Sequence, residues 1–402
     1  MLFINGNIMT MEETNYPKGY IETEGTRIKS VGPMGDLNRI PDDAMDLKGA
    51  LVLPGFIDAH THLGMWEDGL GFEGDDGNEE TDPVTPHLRA LDAVNPFDRC
   101  FTEASEAGIT TVLTGPGSAN PIAGQWLAMK TGGLPEDRVF HSPIAMKFAL
   151  GENPKTIYNG KNLAPITRMA TAALIREQLK KAQRYMTDME NARNDEDLDE
   201  PEYDMKCEAL IPVLKREIKA FFHAHRADDI LTAIRISKEF NLDYIIVHGT
   251  EGHKIASLLK KENVSVITGP VLCDRSKPEL RELTTANTSI LFRSGVRTAI
   301  CTDHPVIPIQ YLPLSAAVCV KAGLPREEAL REITILPAEI CGISDRVGSL
   351  KAGKDADFCV FEEDPLNIMT SPLHVVINGS LLQPYISPIR KDDLKDENSR
   401  RN

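Results

Sequence analysis

The chain has 402 residues, of which 41% are hydrophobic, and a formal net charge of -16. That length suits one large domain with a smaller companion. The acidic balance argues against nucleic acid and anionic membranes as partners, and no apolar run is long enough to span a bilayer.

The first residues, Met1 to Asn7, lack a basic region and read as a strand and turn, not as a secretory signal. The seven cysteines are scattered, odd in number and form no C-x-x-C pair. Reduced thiols in a cytoplasmic protein are therefore expected, each packed as a small hydrophobe. Residues 1 to 53 alternate short strands with turns at Asn5-Gly6 and Glu24-Gly25. The stretches 347–361 and 375–379 have the same character. Two strand-rich ends around a long α/β middle predict one small β-domain built from residues 1–53 and 346–390. A charged tail covers 391–402.

Residues 54–345 alternate apolar strands with helical stretches, the pattern of a parallel TIM-like (β/α)8 barrel. The expected strands are Phe56 to His60, Thr110 to Thr114, Gln125 to Met129 and Ser142 to Ala149. They continue with Lys219 to His223, Tyr244 to His248, Val264 to Thr268 and Arg297 to Thr302. The third of these also reads as a loop. Residues 64–99 form a glycine- and acid-rich excursion after the first strand. It reads as a loop over the barrel mouth or as a solvated one. Residues 167–218 are helical and charged, and the acidic cluster from Asp188 to Asp204 reads as a solvated surface insertion.

The strand ends carry the chemistry. The first runs Phe56-Ile57-Asp58-Ala59-His60-Thr61-His62. Strand residues two apart share a face, so His60 and His62 project side by side, half of a zinc-type site. The fourth, Ala145-Met146-Lys147-Phe148-Ala149, alternates small with bulky residues. That pattern fits a lysine facing inward, or one reaching out to the barrel mouth. The fifth ends Phe221-Phe222-His223-Ala224-His225-Arg226, the sixth Val247-His248-Gly249, and the eighth Thr302-Asp303-His304. Taken singly, a histidine ending a strand is often structural, and an aspartate there can cap a turn.

Together these motifs resemble the amidohydrolase superfamily, metal-dependent hydrolases on a TIM-like barrel. The Val52-Leu53-Pro54-Gly55 lead into His60 and His62 carries the resemblance at one end. Gly348-Ser349-Leu350 with Gly353-Lys354-Asp355-Ala356-Asp357 carries it at the other. The same resemblance implies that the β-domain built from both ends is a β-sandwich. The pattern is most like the imidazolonepropionase and Xaa-Pro dipeptidase-like branch. The resemblance implies one or two divalent ions per chain, with zinc expected, held by His60, His62, Lys147, His223, His248 and Asp303. It implies a carboxylated Lys147 bridging two ions, and Asp303 as general base. His225 would stand behind the ligands or face the substrate. Glu152, just beyond the fourth strand, is the alternative to Lys147, by likeness to relatives that deacetylate amino sugars. The implied reaction is hydrolysis of a C–N bond in a small cyclic amide or dipeptide-like substrate by a metal-activated water. A mononuclear aminohydrolase or deaminase that makes no use of Lys147 is the alternative enzyme. A non-catalytic scaffold on the same fold is the alternative outside catalysis.

Five residues follow the ligand-bearing strand ends: Lys155, Tyr158, Arg168, Arg226 and His253. Arginine grips carboxylates through paired hydrogen bonds, which predicts a small-molecule substrate with a carboxylate. The same residues also read as surface cations paired with the chain's many acids. A homo-oligomer is expected.

Overall fold

The computed structural model describes residues 1–382. Strands from both ends of that span form one eight-stranded sheet. Its path runs Ser380–Leu381, His374–Ile377, Phe358–Phe361, Leu51–Pro54, Leu2–Ile8, Tyr16–Glu24 and Arg27–Pro33, with Met45–Asp46 beside Leu2–Ile8. Alternate residues feed two cores, as a pleated strand requires. Val52, Phe358, Val360 and Val376 pack with Phe3 and Ile21 in the sheet's own core. Leu53, Cys359, Phe361, Val375 and Ile377 face the other way and pack with Phe56 and Ile109 of the barrel. Buried Lys130 at the barrel's edge contacts both Asp355 and Asp357 of this sheet segment, fixing the two parts together. Residues 383–390 of the expected β-domain, and the tail 391–402, lie outside the described residues.

All eight expected barrel strands are present: Phe56–Thr61, Ile109–Thr114, Ile122–Lys130, Val139–Ala149, Lys219–Ala224, Tyr244–His248, Ser265–Thr268 and Thr298–Ile300. They neighbour one another in chain order. Backbone bonds from Asp303 N to His60 O (3.1 Å) and from His62 N to His304 O (2.8 Å) bring the eighth strand's end back to the first. The strands are almost wholly buried because both faces are covered.

The sheet is not fully parallel, contrary to expectation. The third strand runs antiparallel to both neighbours. Its flanking connections, residues 115–121 and 131–138, hold at most a short 3-10 turn. A parallel return needs a crossover of about a dozen residues or more, so these links can only double back. Elsewhere helices bridge the strands, among them Arg99–Glu106, Ala227–Glu239, Ala256–Lys261 and Asn287–Arg293. The charged region after the fourth strand begins helix Arg168–Asn194, capped by the Thr167 side chain accepting from Ala170 N. Ala172, Ile175, Leu179 and Ala182 recur at helical spacing and pack on Met146, Phe148 and Phe222. The acidic segment beyond Asp188 is largely exposed.

Candidate metal centre

Strand alternation aims the fourth-strand lysine. Met146 and Phe148 enter the core against helix Arg168–Asn194, so Lys147 points the opposite way, fully buried. Its Nζ lies 2.5 Å from His60 Nε2 and 4.9 Å from the centre of the Trp126 ring. Burial pulls the lysine pKa down to about 7. His60 and His62 stand side by side, with ring centres 5.1 Å apart. Asp303 Oδ1 lies 3.1 Å from His60 Nδ1 and 3.4 Å from His62 Nε2. Burial opposes ionisation of Asp303, yet the facing rings of His248, His60 and His62 hold its carboxyl well below the usual range.

His223, His225 and His248 form a second group. His223 and His225 share a strand face, as their spacing predicts, with ring centres 4.8 Å apart. Alternation alone does not place His248. Ile245 and Val247 join the cluster that holds Phe221 and Ala145, so the next residue should point away. A left-handed backbone at His248, φ 74°, turns the chain there. Its ring then stacks on His225 at 4.4 Å and meets His223 at 4.6 Å. Asp303 is likewise left-handed, φ 55°. Such positions cost about 1–3 kcal/mol each and cluster at functional sites.

The possible ligand atoms within each group, His60–His62–Asp303 and His223–His225–His248, all lie within 4.8 Å of one another. The rings of His60 and His248, 5.1 Å apart, join the two groups. Nδ1 of His62 donates to Gly115 O and Nδ1 of His248 to Gly269 O, each at 2.7 Å. A carbonyl only accepts, so each Nε2 keeps its lone pair free. Buried polar atoms are normally satisfied, yet His60 Nδ1, His223 Nδ1 and Glu279 Oε1 have no hydrogen-bond partner. Burial lowers the pKa of His223 to about 4 and of His225 to about 3, so both are neutral at pH 7, as a metal ligand must be. Five imidazoles, a carboxylate and a buried lysine fit a divalent metal. A cavity of about 830 Å³ opens above them. Trp66 and Asn78 of the 64–99 excursion form part of its wall.

The chain is 40% identical to an amidohydrolase of solved structure from Thermotoga maritima MSB8. The likeness covers 95% of this chain and 99% of that one, with a TM-score of 0.90. The chain belongs to the amidohydrolase family. Residues 209–382 match the model of that family directly. Imidazolonepropionase of Brucella abortus (strain S19) is 26% identical, over 90% of this chain and 92% of its own length. Amidohydrolase tasK of Hapsidospora irregularis is 28% identical over 85% of this chain. The amidohydrolase described here spans only 38% of that relative's length.

In this amidohydrolase the expected carboxylate-binding residues do not converge on the cavity. Arg226 Nε donates to Asp228, two residues on, at 2.9 Å. Arg168 Nε donates to Asp229 at 2.9 Å. The Tyr158 hydroxyl is buried and donates to Asn120 Oδ1 at 2.6 Å. His253 N donates to Asn287 Oδ1 at 2.9 Å. Neither these four nor Lys155 lines the cavity. Most of them are held by nearby polar partners instead. Glu152 does line it, at the start of helix Glu152–Gly160, but stands outside both ligand groups. Sequence reasoning passed over Asp58, Lys277 and Glu279. Asp58 Oδ2 accepts from Thr302 N at 3.0 Å and Thr302 Oγ1 at 2.6 Å, and Oδ1 accepts from His60 N at 3.2 Å. It thus ties the strand of His60 to that of Asp303. Full burial raises its pKa to about 7.

Proposed function

We propose that this amidohydrolase hydrolyses the C–N bond of a small cyclic amide or dipeptide-like substrate, with Asp303 as general base. His60, His62, Lys147, His223, His248 and Asp303 would hold the metal. The observation that carries the reading is the Asp303 carboxylate, ionised, within 3.4 Å of both His60 and His62 and open to the cavity. A bound divalent ion, zinc by its ligand types, would acidify a water and polarise a carbonyl. Asp303 can hold a proton at Oδ1 and release it to a leaving nitrogen. Trp66 and Leu280 give part of the cavity wall an apolar surface. Lys277 is the only lysine or arginine among the described residues lining the cavity, and its ammonium would orient an anionic group of the substrate. Lys147, with a pKa of about 7, offers the neutral amine that carboxylation requires. The resulting carbamate would replace a repelling cation with an anionic donor. The likeness to imidazolonepropionase supports a ring amide as one substrate type.

The test is metal analysis of the purified protein with a turnover screen of N-acyl amino acids, dipeptides and cyclic ureides. Hydrolysis that chelation abolishes and added metal restores is expected. Full turnover in the chelated protein, or a metal-replete protein inert to every C–N substrate class, would overturn the proposal.

A further inference from the structure

The segment after the seventh strand brings a carboxylate to the histidine cluster. Glu279 is the middle residue of the short turn Pro278–Leu280 and is 1% exposed. It is pinned at two points. Its Oε2 accepts from Glu152 N at 3.1 Å, and its own N–H donates to Glu152 Oε2 at 3.1 Å. This leaves Oε1 directed at the imidazoles, 3.6 Å from His225 Nε2 and 3.8 Å from His223 Nε2. Those separations are too long for hydrogen bonds. Lys277 Nζ approaches at 2.8 Å, yet Oε1 has no partner in hydrogen-bond geometry. Two donors that share one tetrahedral ion through arms of about 2.1 Å lie roughly 3.4 Å apart. The spacing of Oε1 from the two ring nitrogens matches that of ligands around a common centre better than that of hydrogen-bonded partners.

We propose that Glu279 is itself a metal ligand, giving the His223–His225 side of the centre a carboxylate donor through Oε1. The proposal rests on the metal-centre reading above and extends it by two donors outside the expected ligand set, Glu279 and, beside it, His225. It also gives Lys277 a defined place beside the charge of Glu279. A carboxylate that served only as counter-ion to Lys277 would need no approach to two imidazoles.

The experiment uses full-length protein, stripped of metal and titrated with cobalt(II), read by bound ions per chain and by the visible d–d spectrum. Glu279→Gln is expected to bind one ion fewer, or to bind one at least 10-fold more weakly, with an altered d–d spectrum. Glu279→Asp keeps the charge but is too short to reach, and should show the same spectral change. Lys277→Met should keep wild-type stoichiometry and spectrum. Weaker binding with an unchanged spectrum would make Glu279 a positioning residue and overturn the proposal. So would unaltered binding by Glu279→Gln and Glu279→Asp, or an equal loss in Lys277→Met. Absence of cobalt binding by the wild-type protein would instead sink the metal-centre reading itself.

Discussion

Lys147 Nζ and His60 Nε2 lie 2.5 Å apart, both groups fully buried. With the lysine pKa near 7 and His60 held neutral by burial, the amine is partly deprotonated at neutral pH. A neutral amine adds CO2 and an ammonium does not. Uptake of metal by stripped protein should therefore depend on bicarbonate. It should be fuller at pH 8 than at pH 6, because the neutral fraction rises with pH through about 7. Lys147→Ala should lose metal and recover some with a short-chain acid and bicarbonate, whereas Glu152→Ala should keep it. The opposite pattern in the two variants would give the ligand role to Glu152.

The same burial makes the metal-free fold sensitive to pH. His223 and His225 have pKa values lowered to about 4 and about 3, and Lys147 to about 7. The unfolded chain therefore binds more protons than the folded one, and stability rises with pH where that holds. The histidine contribution to that rise lies between about 3 and 6.5, and the lysine contribution between about 7 and 10.5. Asp58, raised to about 7, opposes the trend below neutrality. Urea midpoints of stripped protein should increase from pH 5 to pH 9. Lys147→Met should flatten the upper half of the curve. A wild-type midpoint that falls across this range would show that the site is not desolvated as described.

Much of this was legible in the sequence. Apolar runs bounded by turns located all eight barrel strands, and period-two alternation put Lys147 on the face of Ala145 and Ala149, away from Met146 and Phe148, and paired His60 with His62. The reversed third strand had a signal as well, since the expected strands leave only residues 115–124 between them, too few for a helical crossover. So did Arg226, whose acid partner Asp228 is two positions away. Other features left no local trace. His248 reaches the site through a left-handed backbone, not through alternation. Lys277 and Glu279 sit in an irregular segment without periodicity, and only tertiary packing brings Glu279 to Glu152, more than a hundred residues away (|i−j| = 127). Asp58 reads as part of an apolar strand until the barrel closes and Thr302 arrives above it.

Asp58→Asn tests that closure. The carboxylate accepts from three donors spread over its two oxygens. An amide offers one oxygen, so its NH2 must face either His60 N–H or Thr302 N–H. An unsatisfied buried donor costs about 1–3 kcal/mol, and the urea-derived stability should fall by that much. Metal affinity should fall too, because His60 and Asp303 hang on the two strands that Asp58 joins. A variant with wild-type stability and metal binding would remove Asp58 from the support of the site.

Asp303→Asn keeps the shape of the side chain and removes the proton acceptor. Turnover should drop by at least ~100-fold, the usual scale for loss of a general base. KM should change less, since the cavity walls remain. Metal content is to be measured alongside, so that loss of the base is separated from loss of a ligand. Near-normal kcat with full metal would take Asp303 out of the chemistry.

The last prediction concerns what the cavity recognises. Arg226 and Arg168 are occupied by Asp228 and Asp229, and Tyr158 is sealed away from the cavity against Asn120. Arg226→Met and Tyr158→Phe should leave KM unchanged. Lys277 also has partners, Glu279 Oε1 at 2.8 Å and Asn153 Oδ1 at 3.0 Å, but unlike the two arginines it lines the cavity, with its side chain 32% exposed. A charge-assisted hydrogen bond from it to a substrate carboxylate is worth about 1.5–3 kcal/mol, or roughly 10- to 100-fold in KM. Lys277→Met should raise KM by that factor for a substrate with a free carboxylate, and hardly at all for its ester or carboxamide. Equal turnover of acid and ester by the wild-type enzyme would show that no carboxylate is read. Specificity would then rest on the apolar wall built by Trp66, Ile157, Leu280 and Val306.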